Sequence, residues 1–131
     1  MTYVADTRLL LTFWFPPNKA TKNAIIKLMR TALAEGLIVP SIVITEYIKI
    51  AGKRIGLEAS ETHIRSLMAS GAMVRSIDGR IAFTAGKLAL RYPNIPIADT
   101  LIAAVAIEKG ASYVITDDEH FRRMGLRTKW I

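Results

Sequence analysis

The sequence contains no cysteine among its 131 residues. That absence excludes disulfide scaffolds, iron–sulfur clusters, thiolate zinc sites and cysteine nucleophiles. It is compatible with a reducing cytoplasm. Histidine is nearly as scarce: His63 and His120 are the only two, far apart in the chain. No apolar run approaches the roughly 20 residues that a membrane span needs. The apolar stretch from Met1 to Phe15 already carries Asp6 and Arg8 and lacks a basic leader, so it does not read as a signal peptide. There is no low-complexity tract, and apolar residues make up 51% of the chain, which excludes disorder. Ala51-Gly52-Lys53-Arg54 lacks the spacing of a phosphate loop, and no dinucleotide-binding or serine-hydrolase glycine motif occurs. These absences leave a soluble, cytoplasmic globular domain, with residues 1–131 forming one unit.

Acidic residues are also few. Eleven Asp and Glu stand against eighteen Lys and Arg, a net charge of +7. A basic balance of this size in a small domain favours an anionic partner, nucleic acid first. The mean hydropathy of +0.28 is high for a small soluble domain and points to an exposed apolar patch, hence a protein interface.

Short apolar runs alternate with longer helical patterns. Tyr3-Val4-Ala5, Leu37-Ile38-Val39, Met73 to Ile77, Tyr113 to Thr116 and Leu126 to Trp130 read as strands. Helices are expected from Leu9 to Trp14, from Lys19 to Glu35 behind an Asn18 cap, from a Ser41 cap to about Gly52, and from Glu58 to Ala69 with Ser60 as a cap. Further helices are expected from Ile81 to Leu90, from Pro96 to Gly110, and as a turn or two from Asp118 to Met124. Such alternation predicts an α/β fold: a three-layer α/β/α sandwich around a short sheet of four or five parallel strands. His63 reads as a solvated helix residue. The cluster Phe13-Trp14-Phe15 reads as core packing by default, with base stacking as the alternative.

The placement of the acids carries the functional signal. Six of them lie on helix ends or in turns and need no explanation. Asp6, Glu46, Asp99, Asp117 and Asp118 instead interrupt the most apolar segments of the chain. A carboxylate in or beside a core is costly unless it is paired or binds a cation. In a parallel α/β sheet, strand C-termini and the following helix N-termini share one edge, where ligands bind. Asp6 ends the first strand and Asp117-Asp118 a later one. Glu46 falls one turn into the helix after the second strand, and Asp99 in the first turn of the helix that Pro96 opens. All should meet at that edge. Gathered carboxylates resist ionising together unless a cation stands among them, and oxygen donors suit a hard ion, Mg²⁺ or Mn²⁺. Such a centre supports metal-assisted phosphodiester hydrolysis. With four acids in the site, seven face eighteen bases elsewhere, the balance that cutting a polyanion requires. Taken singly, Asp6, Asp99, Asp117 and Asp118 can each be helix caps or first-turn acids. Glu46, beyond the cap position of an apolar helix, is harder to explain so.

Four segments together resemble the PIN-domain family, in particular its small VapC-type toxin ribonucleases. They are Val4-Ala5-Asp6-Thr7, Pro40 to Glu46, Ile97 to Ala104, and Val114 to Phe121, and the likeness covers essentially the whole chain. The resemblance implies a Mg²⁺- or Mn²⁺-dependent endoribonuclease acting on tRNA, rRNA or mRNA. It also implies a homodimer and a small antitoxin partner. It makes Asp6, Glu46, Asp99 and Asp118 the catalytic, metal-holding acids, with Thr7 and Thr116 in support. Two positions depart from the pattern. Arg8 replaces a small hydroxyl residue and either reaches a substrate phosphate or pairs with one of the acids. Asp117 leaves the choice of fourth ligand between itself and Asp118 open. His120, close to Asp118, can face the pocket, though a place behind the acids or on the surface suits it better. Lys49, Lys53 and Arg54, like the basic C-terminal residues, either flank an RNA channel or are solvated ends.

Other functions fit less well. A receiver-type phosphate domain needs an acidic pair after the first strand, and a dehalogenase-like enzyme needs Asp-x-Asp there, where Arg8 intervenes. A non-catalytic RNA- or antitoxin-binding module is the principal alternative, and the four filled acid positions argue against it.

Overall fold

A computed structural model describes residues 1–131. Tyr3–Ala5 forms β1, Leu37–Pro40 β2, Met73–Arg75 β3, Tyr113–Ile115 β4 and Thr128–Lys129 β5. All pairings are parallel, in the order β3-β2-β1-β4-β5. The two inner segments beside the site, β1 and β2, are buried at every residue, as strands covered on both faces must be. The expected sandwich around a parallel sheet of four or five strands therefore forms, with five.

The helices are α1 (Thr7–Trp14), α2 (Lys19–Glu35), α3 (Ser41–Ile55), α4 (Leu57–Ala69), α5 (Gly79–Arg91), α6 (Ile97–Lys109) and the short α7 (His120–Arg123). Asn18 caps α2 by accepting from the Thr21 amide, and Gly36 ends it at φ 135°, in a conformation that favours glycine. Helix α6 starts behind Pro96 and ends at a left-handed Gly110. It is buried from Ile102 through Ala106, so it runs through the core rather than over it.

Several local expectations are corrected. Helix α1 begins at Thr7, two residues early, because Asp6 rather than a later residue caps it. Ser41 is not a cap: the helix starts on it behind Pro40, and its Oγ accepts instead from the Ile77 amide at 3.2 Å. Ser60 is not a cap either. It is buried inside α4 and donates to the Leu57 carbonyl at 2.8 Å, while Gly56 precedes the helix. Strands β3 and β5 are shorter than their apolar runs, as sheet-edge strands with one neighbour each. His63 is not a freely solvated residue. Its ring stacks on Trp14 at 4.6 Å and its Nδ1 lies 2.7 Å from the Tyr47 hydroxyl, which ties α4 to α1 and α3.

The strand order decides where a site can form. From β1 the chain passes outward to β2 and β3, then returns to β4 on the other side of β1. The reversal lies between β1 and β4, and helices leaving in opposite directions open a crevice at their C-terminal ends. Asp6 follows β1, and Thr116, Asp117 and Asp118 follow β4.

Candidate active site

Asp6 is the innermost of the acids, 5% exposed. Its Oδ1 accepts from the Thr7 amide at 2.7 Å, and its Oδ2 from the Thr116 hydroxyl at 2.7 Å. Asp6 therefore does cap α1, but that use occupies one oxygen only. Thr116 Oγ1 in turn accepts from the Asp118 amide at 2.9 Å. One hydroxyl thus ties the ends of β1 and β4 together.

Thr7 reaches the other way. Its Oγ1 donates to Glu46 Oε1 at 2.6 Å, joining the start of α1 to the second turn of α3. Asp99 lies in the first turn of α6 but makes no cap bond. Its Oδ2 meets His120 Nδ1 at 2.7 Å, and the same nitrogen lies 3.2 Å from Asp118 Oδ1. Asp118 Oδ1 also accepts from the His120 amide at 2.9 Å, which starts the turn into α7.

Asp117 faces elsewhere. Its two oxygens take two hydrogen bonds from Arg8, 3.0 Å from Nε and 2.9 Å from a terminal nitrogen, and the pair is exposed. Of the two readings of Arg8, the paired one is observed in the free chain. Of the two adjacent acids, Asp118 joins Asp99 and His120, while Asp117 joins Arg8. His120, for which the sequence favours a place behind the acids or on the surface, stands against both Asp99 and Asp118.

The family model for the PIN domain matches residues 3–126. The chain belongs to the PIN domain family. Among solved structures it is similar to VapBC2 from Rickettsia felis bound to a promoter DNA fragment, with a TM-score of 0.79, 18% identity, and coverage of 99% of this chain and 98% of that one. It is also similar to VapC20 of Mycobacterium tuberculosis, a sarcin–ricin loop cleaving toxin, with a TM-score of 0.81, 15% identity, and coverage of 95% and 96%. FitAcB from Neisseria gonorrhoeae aligns with a TM-score of 0.73 and 19% identity over 97% and 96%. Comparison with curated proteins gives no match. At these identities the likeness is one of fold.

The electrostatics of this PIN domain follow from the crowding. Burial pushes the Asp6 carboxyl up to about 7, and the charges of Asp99 and Asp118 add to the effect against the hydrogen bonds from Thr116 and Thr7. Asp99 is also raised, chiefly by burial, with Asp118 and Glu46 repelling it and His120 relieving it. Asp117 is held below the usual carboxylate range by Arg8. A ligand atom from each of Asp99, Asp118 and His120 lies within 4.8 Å of the others, so this group could hold a divalent cation. The donors fit one: carboxylates that repel one another, fixed by neighbours, with a hard-ion chemistry.

Proposed function

We propose that this chain is a Mg²⁺- or Mn²⁺-dependent endoribonuclease and the toxin of a toxin–antitoxin pair, its 131 residues forming one cytoplasmic nuclease domain. The observation that carries the reading is the meeting of acids from four separate segments at the β1–β4 crevice. Asp6, Glu46, Asp99 and Asp118 are bound into one network through Thr7, Thr116 and His120. Burial, with the neighbouring carboxylates, raises the proton affinity of Asp6 and Asp99.

Asp6, Glu46, Asp99 and Asp118 would hold the cation. Bound there, it would supply polarisation of a water and compensation of charge on the phosphodiester. The chain's own residues set the stage for this. Thr7 fixes the Glu46 carboxylate, Thr116 fixes Asp6, and His120 Nδ1 turns Asp99 and Asp118 toward one another. Burial, with the neighbouring carboxylates, lets Asp6 hold a proton near neutral pH, and a bound cation would favour its ionised form. The basic surface draws the polyanion toward the acidic centre.

Partners follow the same reasoning. The solved relatives include toxin–antitoxin complexes, one from Klebsiella pneumoniae among them, and this chain exposes apolar residues of its own. Phe83 (77% exposed) and Leu90 (86%) stand on α5 around a shallow cavity of about 490 Å³ floored by Gly79, Ala82 and Gly86. That face supports a homodimer or antitoxin contact. No helix is long and apolar enough to cross a membrane.

The test is cleavage of a structured RNA pool with Mn²⁺, Mg²⁺ or EDTA, comparing wild type with Asp99→Asn. Metal-dependent cutting lost in the variant is the expected result. Cutting that survives both EDTA and the substitution would refute the proposal.

A further inference from the structure

A cavity of about 620 Å³ does not contain the acid cluster. It adjoins it. Arg8, two residues after Asp6, and Asp117, next to Asp118, form one of its walls. From there it runs along two turns of α1, roughly 10 Å, past Thr12 to Phe15, and is closed by Arg54 from the end of α3, Thr21 from α2 and Trp130 from beyond β5. Its size is that of small-molecule sites in general.

The chemistry of the lining is selective. Two guanidinium groups, Arg8 and Arg54, face a space whose one acidic side chain, Asp117, is already taken by Arg8 in two hydrogen bonds. Those bonds leave the remaining N–H groups of Arg8 free. Arg54 forms no ion pair; its guanidinium instead lies 4.1 Å over the Phe15 ring. Stacked so, a guanidinium keeps its edge donors for a phosphate. Phe15 and Trp130 are only partly buried although large and aromatic. Thr12 and Thr21 add hydroxyls. Aromatic faces beside arginines, with hydroxyls between, are the elements by which single-stranded nucleic acid is held: bases stack and phosphates are paired. A protein segment would find the unshared guanidinium of Arg54, the remaining donors of Arg8 and no free acidic side chain, a poor match unless it were strongly acidic.

We propose that this cavity is a subsite for an unpaired nucleotide of the RNA flanking the cleaved phosphate. Arg54 and Arg8 hold backbone phosphate there, Phe15 backs the Arg54 guanidinium, and Trp130 holds the base. The inference rests on the nuclease reading for the meaning of "cleaved", but the binding it describes is separable from catalysis.

The experiment uses the full chain and a fluorescently labelled single-stranded oligoribonucleotide in EDTA, so that binding is read without cutting. Arg54→Ala is expected to weaken binding by about fivefold or more and to lower the salt dependence by about one phosphate contact. Arg54 is exposed, so the fold should tolerate the change. Arg54→Lys should recover the salt dependence but not the affinity, since an ammonium does not stack as a guanidinium does. Trp130→Ala should weaken binding with the salt dependence unchanged. Lys109→Ala, an exposed cation at the far end of α6, should bind as wild type. In the Mn²⁺ cleavage assay, Arg54→Ala should raise KM. If Arg54→Ala and Trp130→Ala both bind as wild type while Asp99→Asn still abolishes cutting, the subsite is wrong and the nuclease reading stands. If no RNA is cut but binding depends on Arg54 and Trp130, the nuclease reading fails and the nucleotide subsite stands. Loss of binding to a protein partner alone, with RNA affinity intact, overturns the subsite in favour of a protein groove.

Discussion

His120 Nδ1 lies 2.7 Å from Asp99 Oδ2, joining the turn after β4 to the first turn of α6. The ring is 27% exposed and touches Asp118 as well, so it stands where two carboxylates would otherwise face each other unopposed. Partners that fix the direction of a metal-holding carboxylate matter almost as much as the carboxylate itself. His120→Ala should therefore weaken Mn²⁺ binding by about 10- to 100-fold, read by calorimetric titration. The thermal stability of the metal-free protein should also fall, since Asp99 and Asp118 lose the group between them. An unchanged Mn²⁺ affinity would remove His120 from the site.

The Asp6 carboxyl links stability to pH. It is raised from 3.8 to about 7, mainly because burial penalises its charge. The folded chain thus holds a proton that the unfolded chain releases at lower pH. The stabilisation is complete below pH 3.8, declines as pH rises between the two values, and is gone above about 7. Over that window the metal-free protein should lose as much as about 4 kcal/mol. Asp99 moves in the same direction. Urea midpoints in EDTA should fall from pH 4.5 to 7.5 in wild type and change much less in Asp6→Asn. At pH 7.5 the variant should be at least as stable as wild type, because Asn keeps an acceptor for the Thr7 amide without the charge. Marked destabilisation of Asp6→Asn at pH 7.5 would mean that its capping bond outweighs the charge.

The helix that carries Asp99 should tolerate the loss of charge far better than the loss of volume. Ile102 is fully buried in α6, three residues beyond Asp99. Ile102→Ala leaves a cavity in the middle of the core and should cost about 2–5 kcal/mol, measured by denaturant unfolding. Mn²⁺ affinity at low temperature should stay near that of wild type, because Asp99 is held by His120 and the helix start rather than by Ile102. Parallel loss of both would show that the site has no rigidity of its own.

How far the sequence discloses this molecule depends on the range of the interaction concerned. Strand β1 ending at Asp6, the Asn18 cap and the helix opened by Pro96 follow from neighbours within a few residues. The edge on which Asp6, Glu46, Asp99 and Asp118 gather follows from strand–helix alternation alone. Ser41 and Ser60 mislead because a serine near a helix start looks the same whether it caps or turns to a partner elsewhere. Ser41 receives a bond from Ile77, 36 residues away. The Arg8–Asp117 pair spans 109 residues, and no local rule distinguishes Asp117 from Asp118. His63 likewise finds Trp14 and Tyr47 only once α4 packs against α1 and α3.

Thr7 offers a test that separates the hydroxyl from the shape of the side chain. Its Oγ1 gives Glu46 its one side-chain partner, at 2.6 Å, while its amide donates to the capping Asp6. Thr7→Val keeps the amide, the volume and the branched β-carbon but removes the donor. Thr7→Ser keeps the donor and loses a methyl group. If Thr7 serves to fix Glu46, Val should reduce Mn²⁺ affinity and RNA turnover by about tenfold or more, and Ser should stay close to wild type. Stability should not separate the two variants in this way: Glu46 is only half-buried and can turn to water, so losing this bond costs about 0.5–1.5 kcal/mol at most. Ser opens a small void at a residue that is 7% exposed and should cost a comparable amount. Activity should therefore rank Thr and Ser above Val while stability does not follow that order. Equal activity of Val and Ser would assign Thr7 to packing alone.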